Sequence, residues 1–266
     1  MTVGLTQPVI LEFFRALKKA PRGLLMLDYD GTLAPFHQDR MEAEPYAGVR
    51  ASLERILGSS RTKVVIVSGR KCDEILKLAG LRHPVEVWGC HGWEHSSGEG
   101  KLEMVGLSPE TLASIKEAAA QAGRIISHEQ VEEKTGCVAA HWRGEDRSRA
   151  LEIENSLRVA WARLAANRSV EIRRFDGGLE FLASDRTKGT VIRDMLAHPT
   201  SRDAAVAFLG DDLTDEDAFR ALGTRGLSVL IRNEPRRTSA HVRLSPPQEL
   251  VAFLERWHEA TQGGSQ

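Results

Sequence analysis

The chain has 266 residues, of which 41% are apolar, and its 36 basic and 37 acidic residues leave a formal net charge of −1. This length can form one large domain or a core with a second module, and the near-neutral balance does not favour binding to nucleic acid or to a membrane. The three cysteines, Cys72, Cys90 and Cys137, have neither disulfide nor zinc-site spacing, so we expect them to be buried small side chains.

The N-terminal segment MTVGLTQPVILEFFRALKKA has no basic start, no sustained apolar run and no small-residue cleavage site. Its apolar spacing instead predicts an amphipathic helix that begins at about Pro8. We therefore expect a cytoplasmic protein.

Five short apolar runs along the chain predict buried strands. They are separated by helical patterns and cover residues 24–30, 63–69, 85–92, 205–212 and 227–233. This alternation predicts an α/β fold with a parallel sheet and helices on both of its faces. In open sheets of this class, ligands bind at the carboxyl ends of the strands, so the polar residues at those ends are candidate site residues.

Residues 106–184 have a different pattern, which predicts a helix, two strands, a second helix and two further strands. Ser108 and Pro109 suit the N-cap and first position of the first helix, and the second helix begins near Asp146. The strand pairs lie near 124–143 and 169–183, and DGG at 176–178 predicts a hairpin turn. We expect a core made of residues 1–105 and 185–266, with a small α+β domain of residues 106–184 inserted into it.

Two carboxylates, Asp28 and Asp30, follow the first predicted strand in the turn DYDGTL, where Gly31 frees the backbone and Thr32 offers a hydroxyl. Carboxylates this close repel each other, so a bound cation or a shared proton is expected. For this segment taken by itself, an Asp-rich turn that caps a helix is the alternative.

A second acidic group, Asp211, Asp212 and Asp215, follows the strand predicted at 205–212. Carboxylates gathered at a strand end indicate a hard cation, and magnesium commonly bridges one or two carboxylates to a substrate phosphate. Glu216 and Asp217 have a simpler explanation, since acidic residues in a first turn favour a helix N-terminus.

Two further segments could bind an anion. Ser68, Gly69 and Arg70 supply a hydroxyl, a flexible backbone and a guanidinium just before a helix, which suits phosphate, although a plain loop with an N-cap is the alternative. Lys188 lies where a new helix begins, and a cation there opposes the helix dipole unless an anion is close. It could neutralise charge between the carboxylates and a phosphate.

These four segments, in this order, resemble the four motifs of the haloacid dehalogenase superfamily of phosphohydrolases. The stretches DYDGTLAPF, VSGR, GCHGWE, VEEK, HWR and GDDLTDEDAF further resemble the trehalose-6-phosphate phosphatase family, over nearly the whole chain. The resemblance implies a Rossmann-like core with a cap of the C2B type, and hydrolysis of trehalose 6-phosphate through a phosphoaspartate. It also implies a soluble enzyme that is functionally coupled to a sugar-phosphate synthase.

The roles that the resemblance implies for core residues fall into three groups. Asp28 would be the nucleophile, Asp30 the general acid and base, and Lys188 the charge stabiliser. Ser68, with Gly69 and Arg70, would bind the phosphate. Mg²⁺ would be held by Asp28, the Asp30 carbonyl and Asp211, with Asp212 and Asp215 in its outer shell.

The cap would close over the sugar and supply the contacts that select it. The residues that match sugar-facing positions of the family are Glu133, Lys134, His141, Arg143 and Glu180. Each could instead be an ordinary polar residue of a half-exposed strand.

One departure from the family pattern bears on the substrate. The family usually places a basic residue and a proline after the Glu that corresponds to Glu180, whereas this chain has Phe181, Leu182 and Ala183. Another glycosyl phosphate, such as glucosylglycerol phosphate or a pseudodisaccharide phosphate, is therefore the alternative substrate. A catalytically silent sugar-phosphate sensor or synthase partner, and a phosphomutase, are alternatives of other classes.

Overall fold

The computed structural model describes residues 3–166, 169–175 and 177–262. The chain divides into two compact units, Met1–Glu103 with Thr187–Gln266, and Met104–Arg186. Asp176, the first residue of the predicted DGG turn, lies outside the described residues. No helix in the described ranges combines the length and apolar character that crossing a bilayer requires.

Unit 1 is an eight-stranded sheet covered by helices. Its first segment contains α1 (Pro8–Lys19), β1 (Arg22–Leu27), α2 (Val49–Leu57), β2 (Thr62–Val67), α3 (Cys72–Ala79), β3 (Glu86–Gly89), β4 (Glu94–Ser96) and β5 (Leu102–Met104), whose last residue falls in unit 2. Chain reversal at β4 makes the β3–β4 pair antiparallel, whereas β1 pairs with β2, and β2 with β3, in parallel.

Unit 2 is a four-stranded antiparallel sheet with two helices. It contains α4 (Pro109–Ala122), β6 (Val131–Lys134), β7 (Cys137–His141), α5 (Arg147–Ala162), β8 (Val170–Phe175) and β9 (Gly178–Ala183), in the sheet order β6-β7-β9-β8. Helix α4 begins at its predicted cap and α5 begins next to Asp146, because the side chains of Ser108 and Asp146 accept hydrogen bonds from the amides of Thr111 and Arg149.

The chain then completes unit 1 with α6 (Lys188–Ala197), β10 (Ala204–Gly210), α7 (Glu216–Leu222), β11 (Leu227–Ile231), β12 (Val242–Leu244) and α8 (Gln248–Gln262). The strand order is β12-β11-β10-β1-β2-β3-β4-β5, so β1 lies between β10 and β2. The pairs of β1 with β10, β10 with β11 and β11 with β12 are all parallel. This confirms the predicted α/β class.

The central strand β1 is buried on both faces, which explains its uninterrupted apolar sequence. Leu24 and Met26 pack in the cluster that contains residues of α6 and α7, whereas Leu25 and Leu27 pack in the cluster that contains residues of α1, α2 and α8. Alternation along the strand sends successive side chains to opposite faces, and both faces are covered. The predicted helical layers on both faces are therefore present.

Candidate active site

Three neighbouring strands of unit 1 end beside one another, and each is followed by a predicted site residue. Asp28 follows β1, Asp211 follows β10 and Ser68 follows β2. The chain departs from β1 towards β2 on one side and returns through β10 on the other, so the strand order reverses at β1. Carboxyl ends at such a reversal form the crevice where open α/β sheets bind ligands.

A buried acidic cluster occupies this crevice. Asp28, Asp211 and Asp215 each offer a carboxylate oxygen within 4.8 Å of the others, and none of the three residues is more than 4% exposed. Burial, together with the nearby Asp215, raises the pKa of Asp28 to about 8 against the opposing effect of Lys188. Burial and the carboxylates of Asp28 and Asp215 also raise the pKa of Asp211 well above its usual value. Like charges held this close and this dry favour a cation among them.

One oxygen of the cluster is available to such a cation. Asp211 Oδ1 is buried and has no hydrogen-bond partner among the described residues. Gly31 leaves room for this carboxylate, since its backbone is left-handed (φ +72°) and a Cβ there would lie 2.1 Å from Asp211 Oδ2. The oxygen-only donor set, the unsatisfied atom and the cradle at Gly31 fit a hard divalent cation.

Lys188, at the start of α6, forms two buried ion pairs. Its Nζ lies 2.7 Å from Asp28 Oδ1 and 2.7 Å from Asp215 Oδ1, and the residue is 3% exposed. Burial alone would lower the pKa of Lys188, but the Asp215 and Asp28 carboxylates outweigh that effect and raise it. The unfavourable position in the helix dipole is thus compensated by two carboxylates, and the lysine is charged.

Both carboxylate oxygens of Asp215 bind neighbouring groups of the site. Besides the bond from Lys188 to Oδ1, its Oδ2 accepts hydrogen bonds from the amides of Asp211 (2.9 Å) and Asp212 (3.0 Å). With both oxygens engaged, this carboxylate fixes the loop that carries Asp211 and the position of Lys188. Asp212 is partly buried next to it, and burial raises the pKa of its carboxyl.

Arg70 contacts Asp30, although the sequence predicted a phosphate ligand. Its Nε donates to Asp30 Oδ2 at 2.6 Å and its Nη2 donates to Asp30 Oδ1 at 2.7 Å, a two-bond pairing. Its Nη1 donates to the carbonyl of Arg40 at 2.6 Å, and its main-chain amide donates to Ser68 Oγ at 3.2 Å. The structure thus brings Asp30, Ser68 and Arg70 together, but through contacts within the protein.

The helix that follows this loop also has an internal anion at its first turn. The amide of Cys72, the first residue of α3, donates to the Glu94 carboxylate at 2.9 Å. Glu94 is 5% exposed. A carboxylate at a helix N-terminus satisfies the free amides and the dipole that a phosphate would otherwise use.

Sequence reasoning assigned no role to Cys90 and His91, which support the Ser68–Arg70 loop from behind. The Cys90 amide donates to the Arg70 carbonyl (2.7 Å) and the His91 amide to the Ser68 carbonyl (2.9 Å). Both residues have left-handed backbones, with φ of 50° and 58°. Left-handed non-glycine residues are strained and concentrate at functional sites. The strand predicted at 85–92 ends at Gly89, so Cys90 and His91 lie in the turn that follows it.

Arg236 and Glu216 anchor the acidic loop from its other side, and sequence reasoning missed this contact too. Arg236 Nη2 donates to the carbonyls of Asp212 (2.9 Å) and Asp211 (3.3 Å), while Nη1 bonds Glu216 Oε1 at 2.5 Å. Glu216 also accepts from the amide of Ser239 and the hydroxyl of Thr238. It therefore does more than favour a helix N-terminus.

The predicted sugar-facing residues belong to unit 2, where the strand register assigns them to faces. Phe181 packs against Trp161 of α5, and the residues paired across from it are Val138 and Ile172. The face of the sheet that carries Phe181, Val138 and Ile172 is therefore covered by a helix, and we call it the helix-covered face. The opposite face, which we call the polar face, carries Glu132, Lys134, His141, Arg173 and Glu180.

The polar face contains a buried ion pair and a histidine–carboxylate contact. Lys134 Nζ lies 2.7 Å from Glu180 Oε1, with each side chain only 6% exposed, and His141 Nε2 lies 3.0 Å from Glu132 Oε2. Burial alone would lower the pKa of Lys134, but neighbouring acidic groups raise it well above its usual value. Lys134 is therefore a charged residue held in a dry setting.

Two predicted residues are placed differently. Glu133 pairs with Val138 and so lies on the helix-covered side, and its neighbour Glu132 takes the place on the polar face. Arg143 follows the end of β7, is exposed, and packs beside Gly177. The sequence VEEK contains two adjacent glutamates, and adjacent residues of a strand point to opposite faces of the sheet. Predicting the wrong one of the two therefore assigns the glutamate to the wrong face.

Comparisons with known proteins agree with this architecture. The family model described as trehalose-phosphatase matches residues 26–248. The chain is 32% identical over 251 residues to a trehalose-phosphate phosphatase of Mycobacterium marinum, covering 89% of this chain but only 61% of that relative's length. It is 31% identical over 280 residues to probable trehalose-phosphate phosphatase 9 of Oryza sativa subsp. japonica, covering 94% of this chain and 74% of the relative.

The fold is also found among solved structures. The C-terminal domain of trehalose-6-phosphate phosphatase from C. albicans superposes with a TM-score of 0.82, covering 97% of this chain and 98% of that one. The two sequences are 21% identical, so this match concerns the fold.

Proposed function

Because this chain belongs to the trehalose-phosphatase family, we propose that it hydrolyses trehalose 6-phosphate to trehalose and phosphate, with Asp28 as the nucleophile. The observation that carries the proposal is the buried cluster in which Lys188 contacts one oxygen of Asp28 beside an unsatisfied oxygen of Asp211. A carboxylate with a fixed cation on one oxygen keeps the other available for attack on phosphorus. The names of the relatives support the sugar phosphate as substrate.

The residues that would hold the metal are Asp28, the carbonyl of Asp30, and Asp211. The oxygen donors and their repulsion favour Mg²⁺, which would neutralise charge on the carboxylates and the phosphate. Asp215 and Asp212 would keep the ligand loop in place, because Asp215 already binds the amides of that loop.

The reaction divides into two transfers. In the first, an Asp28 oxygen forms a bond to phosphorus while the bond to the sugar oxygen breaks, and that oxygen takes a proton from Asp30. In the second, Asp30 takes a proton from water as the water oxygen attacks phosphorus. The bond to Asp28 then breaks and phosphate leaves. Positioned acid–base catalysis of this kind contributes about 10²- to 10⁴-fold.

The cation of Lys188 supports both transfers. It is held by Asp28 and Asp215, so it needs no rearrangement as negative charge develops beside it. Fixed charges in a site that excludes water stabilise a transition state more strongly than mobile ones. Ser68, buried at the end of β2, is the proposed hydroxyl ligand of the phosphate.

The polar face of unit 2 is the proposed sugar-binding surface. Glu132, Lys134, His141 and Glu180 offer donors and acceptors there, and Arg143 follows the end of β7. The departure from the family's sequence pattern after Glu180 changes this face at one position. Leu182 lies on the polar face, whereas Phe181 and Ala183 point to the helix-covered side. That single apolar replacement supports keeping glucosylglycerol phosphate and pseudodisaccharide phosphates as alternative substrates.

A substrate panel tests the proposal. Phosphate release is measured with trehalose 6-phosphate, glucose 6-phosphate, glucosylglycerol phosphate and a pseudodisaccharide phosphate, with and without a magnesium chelator. We expect the highest kcat/KM for trehalose 6-phosphate, with loss of turnover on chelation. Equal turnover of glucose 6-phosphate contradicts the substrate assignment, and an isomeric sugar phosphate among the products would indicate a mutase.

The proposal extends to the cellular setting. The enzyme would be functionally coupled to a sugar-phosphate synthase that supplies its substrate, and both would operate in the cytoplasm. Phosphate release also separates this proposal from that of a silent sensor, which would bind the sugar phosphate without turnover.

A further inference from the structure

We propose that Arg70 is a positioning residue for Asp30 and does not serve as a phosphate ligand. The inference rests on the proposed phosphatase reaction, in which Asp30 transfers protons. Its basis is the pairing in which two nitrogens of one guanidinium bind the two oxygens of one carboxylate, at 2.6 and 2.7 Å. A pairing of this kind fixes the plane of the carboxylate as well as its distance.

Each nitrogen of the guanidinium donates a hydrogen bond within the protein. Besides the two bonds to Asp30, Nη1 donates to the Arg40 carbonyl at 2.6 Å, and the residue is 8% exposed. The ring of Tyr29 lies beneath it, 5.8 Å from the guanidinium carbon. All three guanidinium nitrogens thus have internal acceptors, and two of the three bonds are directed at Asp30.

The backbone of Arg70 is held as firmly as its side chain. Its carbonyl accepts from the Cys90 amide at 2.7 Å, and its amide donates to Ser68 Oγ. The segment around Arg40 is tied down in turn, because the Arg40 side chain bonds Glu74 Oε1 at 2.5 Å. Asp30 therefore receives its orientation from β2, α3 and the residue 40 segment together.

This pairing leaves Asp30 able to react. A carboxylate has about four lone-pair positions, and Arg70 uses one on each oxygen. The remaining positions can meet the sugar oxygen in the first transfer and water in the second. Since a displacement of about 1 Å at a reacting group can reduce the rate about 10²-fold, fixing the Asp30 plane has a measurable consequence.

The test separates the two transfers with p-nitrophenyl phosphate. Its leaving group is stable as an anion, so the first transfer needs no acid, whereas hydrolysis of the phosphoaspartate still needs Asp30 as base. We expect Arg70→Lys, which keeps the charge but cannot form the fork, to release p-nitrophenol in a stoichiometric burst. The steady rate that follows should be about 10²-fold below wild type. With trehalose 6-phosphate the variant should be slow without a burst.

Two comparisons make the result specific. Asp30→Asn should give the same burst, and the double variant Arg70→Lys with Asp30→Asn should lose no more kcat than Asp30→Asn alone, because Arg70 acts through Asp30. Arg61→Ala is the matched control. This half-buried arginine of unit 1 also donates to main-chain carbonyls, those of Ala20 and Thr261, so it reports a general loss of stability.

Several outcomes overturn the inference. One is that Arg70→Lys has a raised KM and weakened inhibition by phosphate, with unchanged kcat. The others are kcat losses that multiply in the double variant, and a steady rate in Arg70→Lys equal to wild type. A burst retained in folded Arg70→Gln supports it if Arg70→Lys fails to fold. Failure of the proposed function is distinguishable, since the wild-type protein would then release no phosphate from any sugar phosphate.

Discussion

Replacing Gly31 by alanine adds one methyl group beside Asp211, and the structure allows its effect to be worked out. The added Cβ would lie 2.1 Å from Asp211 Oδ2 and 2.3 Å from Cγ, whereas ordinary contacts begin at 3.4 Å. The carboxylate must therefore move by about 1.3 Å, well beyond the roughly 0.2 Å tolerance of a metal-ligand distance. The left-handed backbone adds about 1–2 kcal/mol of strain, partly offset by about 0.4–1 kcal/mol of reduced unfolded-state entropy.

Gly100→Ala is the matched control for this strain. Gly100 is also left-handed (φ +84°), but a Cβ there meets nothing within 4 Å. Gly100→Ala should lose about 1 kcal/mol of unfolding free energy in urea titrations, and Gly31→Ala about 1–3 kcal/mol more because of the displaced carboxylate. Only Gly31→Ala should also weaken Mg²⁺ binding by calorimetry, by at least about 10-fold, and lower kcat by about 10²-fold. Equal Mg²⁺ affinity and equal turnover in the two variants would refute the placement of Asp211 as a ligand.

Three further predictions concern single side chains. Asp28→Asn should fold normally by circular dichroism yet release no phosphate from any substrate, because an amide cannot form the acyl phosphate, and more than trace turnover would count against Asp28 as nucleophile. Lys134→Met should destabilise the protein by about 3–5 kcal/mol in urea unfolding, since it removes the cation from the buried Glu180, and adding Glu180→Gln should recover most of that loss. Glu132→Ala should raise KM for trehalose 6-phosphate and spare p-nitrophenyl phosphate, while Glu133→Ala should change neither; equal effects of the two substitutions would contradict the register-based assignment.

The central sheet could be predicted from the sequence because a strand that is buried on both faces is apolar along its whole length. Strands β1, β2 and β10 read as continuous apolar runs, and parallel pairing brings their carboxyl ends together whatever the details of packing. The convergence of Asp28, Ser68 and Asp211 follows from those two facts. The outer strands β4, β5 and β12 were missed because each has only three residues, too few for a periodic pattern.

The contacts between particular side chains could not be predicted from the sequence. Arg70 follows a strand next to the one that leads to Asp30, and a phosphate ligand or a carboxylate partner would look the same in the letters SGR. The choice depends on distances of a few ångströms between segments that are 40 residues apart. The same limit applies to Glu132 and Glu133, where the start of β6 decides which side chain shares a face with Lys134.

The two carboxylates of the DYDGTL turn are separated by one residue, yet each meets a different kind of cation. Asp28 meets the ammonium of Lys188, whose Nζ lies 2.7 Å from Oδ1, whereas Asp30 meets the guanidinium fork of Arg70, which binds both oxygens. A compact ammonium is the suitable partner for a nucleophile, since a fork in its place would cover the oxygen that must attack phosphorus. A fork is the suitable partner for a proton-transferring group, since its lone pairs must keep one direction through two transfers. The proposed division of labour between Asp28 and Asp30 thus follows from the shape of the cation that each receives, as much as from charge.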